Sequence, residues 1–231
     1  MLTQSACKNT LIVIGADKGG VGKTMLSRII LDYITGASVR VFDTEPGAGV
    51  FKRFFPTAIT VNLADSLDQA KVIDGLGEAR VTLVDIRAGL LSPTLHLFQR
   101  IGFKHGVDAH LVVLHVLGNS IASFGEIKNT AALLAGNGDH VLVKNYANAG
   151  KFFEWDEATQ AQYLAPSGAA GPIKIGNLDA VAAERVDKRN QTFAAFVADA
   201  DNSRLMRGLV RAWYADAAIE LDRTGLKSLI S

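Results

Sequence analysis

The sequence contains a single cysteine, and this scarcity excludes several kinds of site. Cys7 is the only thiol among 231 residues. One thiol cannot form a disulfide within the chain, and it cannot build an iron–sulfur cluster or a zinc site that needs several thiolates from one chain. A reductase that depends on clustered cysteines is therefore nearly excluded.

The chain also lacks long apolar runs and a large charge of either sign. Its first ten residues, MLTQSACKNT, are polar and have no apolar signal core. No uninterrupted apolar run approaches the ~20 residues that a membrane span requires. The net charge of +1 argues against a strongly basic nucleic-acid binder, although a local basic face is compatible with it. We therefore expect a cytoplasmic protein.

Enough apolar material is present for a sizeable core. Hydrophobic residues make up 48% of the chain and charged residues 20%, which is ordinary for a globular protein. A length of 231 residues suits one α/β domain and is short for two. We predict a single domain over residues 1–231.

Short apolar runs alternate with longer segments of helical period. The runs predict five strands: Thr10–Ala16, Val39–Phe42, Val81–Val84, His110–Val116 and His140–Val143. The segments between them predict four helices: Lys23–Ile34, Asn62–Leu76, Leu90–Ile101 and Ile121–Leu134. Apolar strands separated by helices favour an α/β fold, with a doubly wound, mostly parallel sheet and helices on both faces. Such sheets bind ligands beyond the carboxyl ends of their strands.

A glycine-rich segment, Gly15-Ala-Asp-Lys-Gly-Gly-Val-Gly-Lys-Thr-Met25, joins the first predicted strand to the first predicted helix. Such a loop directs several backbone N–H groups to one point, where the helix amino end adds positive charge. Lys23 can reach the β- and γ-phosphates of a nucleotide, and the Thr24 hydroxyl can ligate Mg²⁺. The general P-loop pattern has glycine five positions before Gly22, where this chain has Asp17.

The segment Lys18–Thr24, Lys-Gly-Gly-Val-Gly-Lys-Thr, resembles the deviant Walker A loop of the ParA/MinD family of P-loop ATPases. The resemblance implies an ATP-dependent homodimer in which Lys23 serves its own subunit's ATP and Lys18 reaches the partner's. A cation supplied across an interface acts like an arginine finger. The alternative for Lys18 is a solvated loop lysine. The expected nucleotide-binding residues of this loop are Lys18, Gly19, Gly20, Val21, Gly22, Lys23, Thr24 and Met25.

Two further segments follow in the family's order. Asp43-Thr-Glu45-Pro-Gly resembles the Asp-x-Asp-Pro switch I, which implies that Asp43 assists the Mg²⁺ shell and that Glu45 positions the attacking water. Glutamate is one methylene longer than the family's aspartate, which affects that placement. The alternative is a turn carboxylate beside proline.

The segment Val81-Thr-Leu-Val-Asp85 has the Walker B form, whose carboxylate organises Mg²⁺. Its continuation to Gly89, Asp-x-x-Ala-Gly, resembles a MinD-type switch II, which implies that this glycine responds to the γ-phosphate. Arg87 stands where the family often has proline and has no assigned role. The expected metal ligands are Thr24, Asp43 and Asp85.

The later part of the chain carries weaker signals. Asn145 ends the fifth predicted strand, where the family often has an asparagine that reads adenine, but asparagine is equally a turn former. Residues Ala147–Pro172 are the least regular and could form an excursion over the nucleotide. From Leu178 onward the chain is expected to be largely helical.

One basic stripe is a candidate DNA surface. On a helix Arg204, Arg207 and Arg211 share one side. They could grip phosphates non-specifically, as ParA-like proteins do when dimerised with ATP. The alternative is the polar side of a surface helix. The positions expected to face the core are Leu205, Leu209 and Ala212.

Two other groups are given structural interpretations. His110 and His115, five residues apart on a strand, point to opposite faces and cannot converge on one metal. Phe51, Phe54 and Phe55 are expected to be core residues, with two neighbouring cations, Lys52 and Arg53, in solvent.

The leading hypothesis is a bacterial, ParA-like ATPase with ATP and Mg²⁺ as cofactors, a separate activating partner protein and non-specific DNA as its surface, at the nucleoid. Its cargo would be a plasmid, a chromosome locus or a conjugation assembly. A MinD-like membrane-positioning ATPase is the second hypothesis, although Thr224–Ser231 is too short and poorly patterned for a membrane helix. The third is a small-molecule kinase or synthetase, which generally lacks a lysine at the position of Lys18.

Overall fold

The computed structural model describes residues 9–45, 47, 51–146, 152 and 155–230. Within these residues seven strands form one sheet, in the order β3-β2-β4-β1-β5-β6-β7, and all paired neighbours are parallel. The strands are β1 (Thr10–Gly15), β2 (Val39–Asp43), β3 (Ile59–Thr60), β4 (Val81–Asp85), β5 (His110–Leu117), β6 (Asp139–Asn145) and β7 (Ala170–Ile175). The predicted α/β fold with a parallel sheet is confirmed.

Helices connect the strands and cover the sheet. Those before β7 are α1 (Lys23–Tyr33), α2 (Ser66–Ile73), α3 (Leu91–Arg100), α4 (Ile121–Leu134) and α5 (Glu157–Ser167). Those after it are α6 (Ala180–Arg189), α7 (Phe193–Ala198), α8 (Arg204–Asp222) and α9 (Leu226–Ile230), so the segment after Leu178 is largely helical, as predicted. A short 3-10 helix spans Phe51–Arg53.

Alternating strand residues divide the core between the two faces of the sheet. Ile12 and Ile14 of β1 belong to the cluster formed with α1 and α6–α9. Leu11 and Val13, one residue out of step, belong to the cluster formed with α2, α3 and the end of α4. Because both faces are covered, β1 and β5 are buried along their whole length, which explains their continuous apolar runs.

The prediction missed β3 and β7 and misjudged the segment Ala147–Pro172. β3 has two residues, too few for an apolar pattern, and β7 alternates buried and exposed positions at the sheet edge. The expected irregular segment contains α5, which has no fully buried residue and therefore no apolar stripe. Its residues 147–151 and 153–154 lie outside the described ranges, as do Cys7 and Pro46.

The predicted core face of α8 is wrong for two of its three residues. Leu205 is 65% exposed and Ala212 is exposed, whereas Leu209 is half-buried and packs against the core, as predicted. The buried positions are instead Val210, Trp213, Ala217 and Leu221. Trp213 fixes this rotation, because its bulky ring packs against Phe193 and its Nε1 donates to the Gly176 carbonyl oxygen at 2.7 Å.

The phenylalanines that follow β2 are core residues, as predicted. Phe51 and Phe54 are buried, and Lys52 and Arg53 are exposed. Arg28 of α1 lies 3.5 Å from the Phe54 ring centroid, so the same aromatic residue also packs against a buried cation.

His110 and His115 occupy separate hydrogen-bonded clusters, in agreement with their structural interpretation. His110 Nε2 lies 2.6 Å from Asp139 Oδ2. His115 Nδ1 lies 3.2 Å from His140 Nε2, and both rings are buried. Burial, together with the neighbouring His115, lowers the pKa of His140 to about 3. His140 is therefore neutral in the folded protein at ordinary pH.

Replacing His140 should weaken the acid sensitivity of the fold. The unfolded histidine binds a proton below about pH 6.5 and the folded one does not, so stability is lost as pH falls below that value. Between pH 7 and pH 5 this loss is about 2 kcal/mol, and His140→Asn should remove it. Urea unfolding at pH 5, 6 and 7 measures the effect. The exposed His96→Asn is the control, and equal pH slopes for wild type and His140→Asn would contradict the expectation.

Candidate functional site

The glycine-rich loop follows β1 and opens α1 at the carboxyl edge of the sheet. Gly20 has φ 72° and Gly22, the residue before the helix, has φ 87°, both left-handed values that favour glycine. No side chain caps the first turn of α1, so its N–H groups are available to a ligand. Lys23 bends back over the loop and donates from Nζ to the Lys18 carbonyl oxygen at 3.2 Å. These features suit an anion site.

Two carboxylates end the adjacent strands β2 and β4. Asp43 and Asp85 are register partners, and both side chains are buried. Asp43 Oδ1 accepts a hydrogen bond from the Glu45 N–H at 2.9 Å. Among the described residues, Asp43 Oδ2 and Asp85 Oδ1 are buried without a hydrogen-bond partner. Unpaired buried oxygens at this position fit a divalent cation, which would satisfy both.

The surroundings of Asp85 set its charge. Burial raises its pKa to about 7, while the neighbouring Thr24 and Ser27 hydroxyls act in the opposite direction. Burial likewise raises the pKa of Asp43. A proton or a metal ion can therefore neutralise this pair, and Thr24, Asp43 and Asp85 are positioned to share one ion.

A cavity of about 330 Å³ brings the loop and the carboxylates together. Its lining includes nine residues that the sequence predicted: Gly19, Gly20, Gly22, Lys23, Thr24, Met25, Asp43, Glu45 and Asp85. Val21 does not line it; this residue is buried and lines the neighbouring cavity that contains Lys18 and Asn145. A larger cavity of about 520 Å³, between α2 and α3, contains none of the predicted site residues.

Lys18 and Asn145 lie on the other side of the loop, along a second cavity of about 190 Å³. Lys18 Nζ donates to Ser120 Oγ at 2.8 Å, and a Cβ at Gly118 would come within 3.1 Å of Lys18 Cδ. Asn145 Nδ2 donates to the Gly22 carbonyl oxygen at 3.0 Å. The structure therefore places Asn145 as a tether of the loop. Its predicted adenine contact stays a prediction.

Two site residues were missed by the sequence reasoning. Thr44 Oγ1 donates to the Asp85 carbonyl oxygen at 3.0 Å and accepts from the Arg87 N–H at 2.6 Å, so it joins the segment after β2 to the segment after β4. Asp17, seen only as a break in the P-loop pattern, accepts a hydrogen bond from the Ser92 N–H at 3.2 Å. A hydroxyl between two acidic residues was the available signal for Thr44.

The arginines of α8 lie outside both loop cavities. Arg204 and Arg211 are exposed, whereas Arg207 is half-buried. Two of the three therefore lie in solvent, and their predicted role is not tested by their position.

A second group of potential metal ligands lies at the amino end of β5. One ligand atom each from His105, His110 and Asp139 falls within 4.8 Å of the others. His105 Nδ1 accepts from the Leu111 N–H at 3.1 Å, and His110 is bonded to Asp139 at 2.6 Å. Because these hydrogen bonds use the ligand atoms, we assign this group a structural role.

The parallel sheet, the glycine-rich loop and the strand-end carboxylates define a P-loop NTPase fold. No family model and no curated protein matches the sequence. Among solved structures, MinD in the MinC:MinD cell division protein complex of Aquifex aeolicus matches with a TM-score of 0.53 at 14% identity, covering 88% of this chain and 94% of that chain. MinD of Aquifex aeolicus alone matches with a TM-score of 0.50 at 14% identity, covering 88% and 95%.

A nucleotide-binding protein in complex with ADP from Archaeoglobus fulgidus also matches, with a TM-score of 0.50 at 15% identity, covering 78% of this chain and 86% of that chain. At these identities the likeness shows the fold. It confirms, for the fold, the resemblance to the ParA/MinD proteins predicted from the loop. In the described ranges, no helix has the length and apolar character needed to span a membrane.

Neutralising Asp85 should stabilise the protein in the absence of metal. With a folded pKa of about 7 and an ordinary value of 3.8, wild type loses stability as pH rises from 4 to 7 and stays at the lower level above pH 7. Asp85→Asn removes this loss of about 4 kcal/mol, so its melting temperature at pH 8 in EDTA should exceed that of wild type by about 10 °C. The advantage should shrink at pH 5.

Differential scanning fluorimetry at the two pH values measures this difference. Asp216→Asn, on the exposed side of α8, is the matched control and should change neither melting temperature. A lower melting temperature for Asp85→Asn at pH 8 would contradict the expectation, because the charged carboxylate would then not be destabilising the folded protein.

Proposed function

We propose that the chain is a nucleotide-dependent switch that binds ATP with Mg²⁺, forms a homodimer in that state and hydrolyses ATP slowly to ADP and phosphate. The observation that carries the proposal is one cavity in which Lys23, Thr24 and the unpaired oxygens of Asp43 and Asp85 meet beside a glycine-rich helix start. The cavity therefore offers a positive side chain for the phosphates of a nucleoside triphosphate and oxygen ligands for the Mg²⁺ that accompanies it.

Each group has a defined task in the proposed reaction. The loop N–H groups and Lys23 bind the β- and γ-phosphates. Thr24, Asp43 and Asp85 would hold Mg²⁺, which when bound neutralises charge on the phosphate oxygens. The Glu45 side chain is exposed at the cavity, with its N–H fixed by Asp43, and orients the attacking water.

Lys18 acts across the dimer in this proposal. In the single chain its ammonium is bonded to Ser120, outside the phosphate cavity. A hydrogen bond to a neutral hydroxyl is weaker than one to a phosphate oxygen, so a partner's nucleotide can draw the side chain away. The solved neighbours include the MinC:MinD complex, and a protein partner that stimulates turnover is part of the proposal.

We propose non-specific DNA as the surface on which the dimer acts, in plasmid partition or a related positioning process in the bacterial cytoplasm. Arg204 and Arg211 are exposed on α8, and a dimer would carry two copies of this basic surface. A MinD-like membrane role is the second candidate. It is disfavoured because α9 buries Leu226, Leu229 and Ile230 in the core rather than presenting them to a bilayer.

Substitutions of the two loop lysines should have different effects on nucleotide binding and hydrolysis. Lys23→Ala should weaken binding of fluorescent ADP by about 100-fold, because the phosphates lose their cation in the same subunit. Lys18→Ala should keep ADP affinity and lose ATP hydrolysis and ATP-dependent dimerisation. Fluorescence titration, phosphate release and light scattering measure these three quantities.

The exposed Lys52→Ala is the control for the loss of one positive charge. Full turnover by Lys18→Ala would overturn the dimer mechanism and favour a small-molecule kinase or synthetase.

DNA binding should require both ATP and the basic side of α8. Fluorescence anisotropy with non-specific double-stranded DNA at one fixed salt concentration should show binding with ATP and none with ADP. The triple change Arg204→Ala, Arg207→Ala and Arg211→Ala should reduce affinity by about 10-fold or more. The triple change Arg100→Ala, Lys104→Ala and Lys128→Ala removes three exposed cations elsewhere and is the matched control.

If the protein binds no DNA with either ATP or ADP, non-specific DNA is excluded as the surface on which the dimer acts. Pelleting with anionic liposomes in ATP would then identify the membrane alternative.

A further inference from the structure

We propose that Asp17 is a positioning residue that couples the phosphate loop to the first turn of α3 and so places the end of switch II at the nucleotide cavity. The inference rests on the proposed ATPase function. It concerns a residue that the general P-loop pattern would replace by glycine, and for which the loop sequence alone gives no task.

The amino end of α3 lacks a capping side chain of its own. The residue before the helix is Leu90, which forms no side-chain cap. The Asp17 carboxylate fills this place from 75 residues away, because Oδ1 accepts from the Ser92 N–H at 3.2 Å and Oδ2 is bonded to Ser92 Oγ. A carboxylate bonded to an N–H of the first helical turn caps the helix and complements its dipole.

Asp17 is itself fixed from the opposite side. Its backbone N–H donates to Glu126 Oε2 of α4 at 3.0 Å. The same oxygen lies 3.5 Å from His115 Nε2, and His115 is bonded to the buried His140. The connection between the loop and α3 is therefore anchored to the centre of the sheet through α4, and it does not depend on an exposed, mobile side chain.

The start of α3 also packs directly on the start of the loop. A Cβ at Gly15 would come within 2.8 Å of Leu91 Cδ1, so the two segments are in close contact even without Asp17. Between Asp85 and Leu91 the chain has only five residues, and three of them, Ile86, Arg87 and Ala88, line the nucleotide cavity. A change in the loop on phosphate binding would thus be transmitted to the α3 end of this short segment.

We therefore expect the loss of Asp17 to lower the rate of turnover without weakening nucleotide binding. Asp17 does not line the phosphate cavity, so its loss leaves the phosphate contacts in place. Its loss frees the first turn of α3 and lets Arg87, Ala88 and Gly89 drift from the reacting phosphate. Misplacement of about 1 Å in such a segment is enough to reduce turnover strongly.

The experiment compares Asp17→Ala, Asp17→Asn and Ser92→Ala with wild type in the full chain. Asp17→Ala should lower kcat for ATP hydrolysis by about 10-fold or more while ADP affinity stays within about threefold. Asp17→Asn should recover most of kcat, because its amide oxygen still accepts from the Ser92 N–H. Ser92→Ala keeps that N–H and should show an intermediate loss.

The matched control is Asp65→Ala. Asp65 caps α2 through the N–H groups of Leu67 and Asp68, in a helix that does not touch the phosphate cavity. It should lower the melting temperature about as much as Asp17→Ala and leave kcat unchanged. Equal kcat in Asp17→Ala and wild type, or equal losses in Asp17→Ala and Asp65→Ala, would overturn the inference and leave a cap with no influence on turnover.

Hydrogen exchange provides a readout that does not depend on turnover. A non-hydrolysable ATP analogue with Mg²⁺ should protect both the loop and residues 86–92 in wild type, and only the loop in Asp17→Ala. Protection of both segments in the variant would overturn the coupling. If wild type itself binds no nucleotide, the proposed function fails, whereas nucleotide binding and hydrolysis that are indifferent to Asp17 contradict only the present inference.

Discussion

The close pairing of two buried carboxylates, Asp43 and Asp85, is the constraint around which this edge of the sheet is built. Parallel strands bring their carboxyl ends to one side, and residues at matching register positions become neighbours. Two acidic groups in that position cannot both be charged without compensation. The nearby cation of Lys23, the hydroxyls of Thr24 and Ser27 and the N–H of Glu45 supply part of it. The remainder is left for a proton or a metal ion.

The loop above these carboxylates is held from several directions before any ligand arrives. Asn145 of β6 bonds to the carbonyl oxygen of Gly22, Ser120, the residue before α4, accepts from Lys18, and Glu126 of α4 accepts from the N–H of Asp17. A loop tethered at its beginning, middle and end has lost much of its conformational freedom during folding. Less entropy then remains to be lost when an anion binds, which is the general advantage of preorganisation.

The parts of the fold that depend on local pattern could be predicted from the sequence. The strands His110–Leu117 and Asp139–Asn145 contain buried runs of Val and Leu, and the glycine-rich loop has the spacing typical of a phosphate-binding loop. The two-residue strand Ile59–Thr60 and the edge strand Ala170–Ile175 could not, because short or half-exposed strands leave little periodicity. Most of the core face of α8 was also missed, since it depends on which partners Trp213 finds rather than on helical spacing.

The candidate site shows the same division. The spacing of residues along the chain was enough to predict four members of the site, Lys23, Thr24, Asp43 and Asp85. The bond between Lys18 and Ser120 joins residues 102 positions apart, and the one between Asp17 and Ser92 spans 75. No local pattern encodes such contacts, so they are visible only in the folded structure.

The position of Lys18 has a consequence for how reversible an assembly of two chains can be. Its ammonium already has a hydroxyl partner within its own subunit, and Gly118 leaves room for its aliphatic stem. A lysine that crosses to another subunit would therefore exchange one hydrogen-bond partner for another. When the two chains separate, the side chain has a place to which it can return without refolding. Repeated association and dissociation then require only a rotation about side-chain bonds.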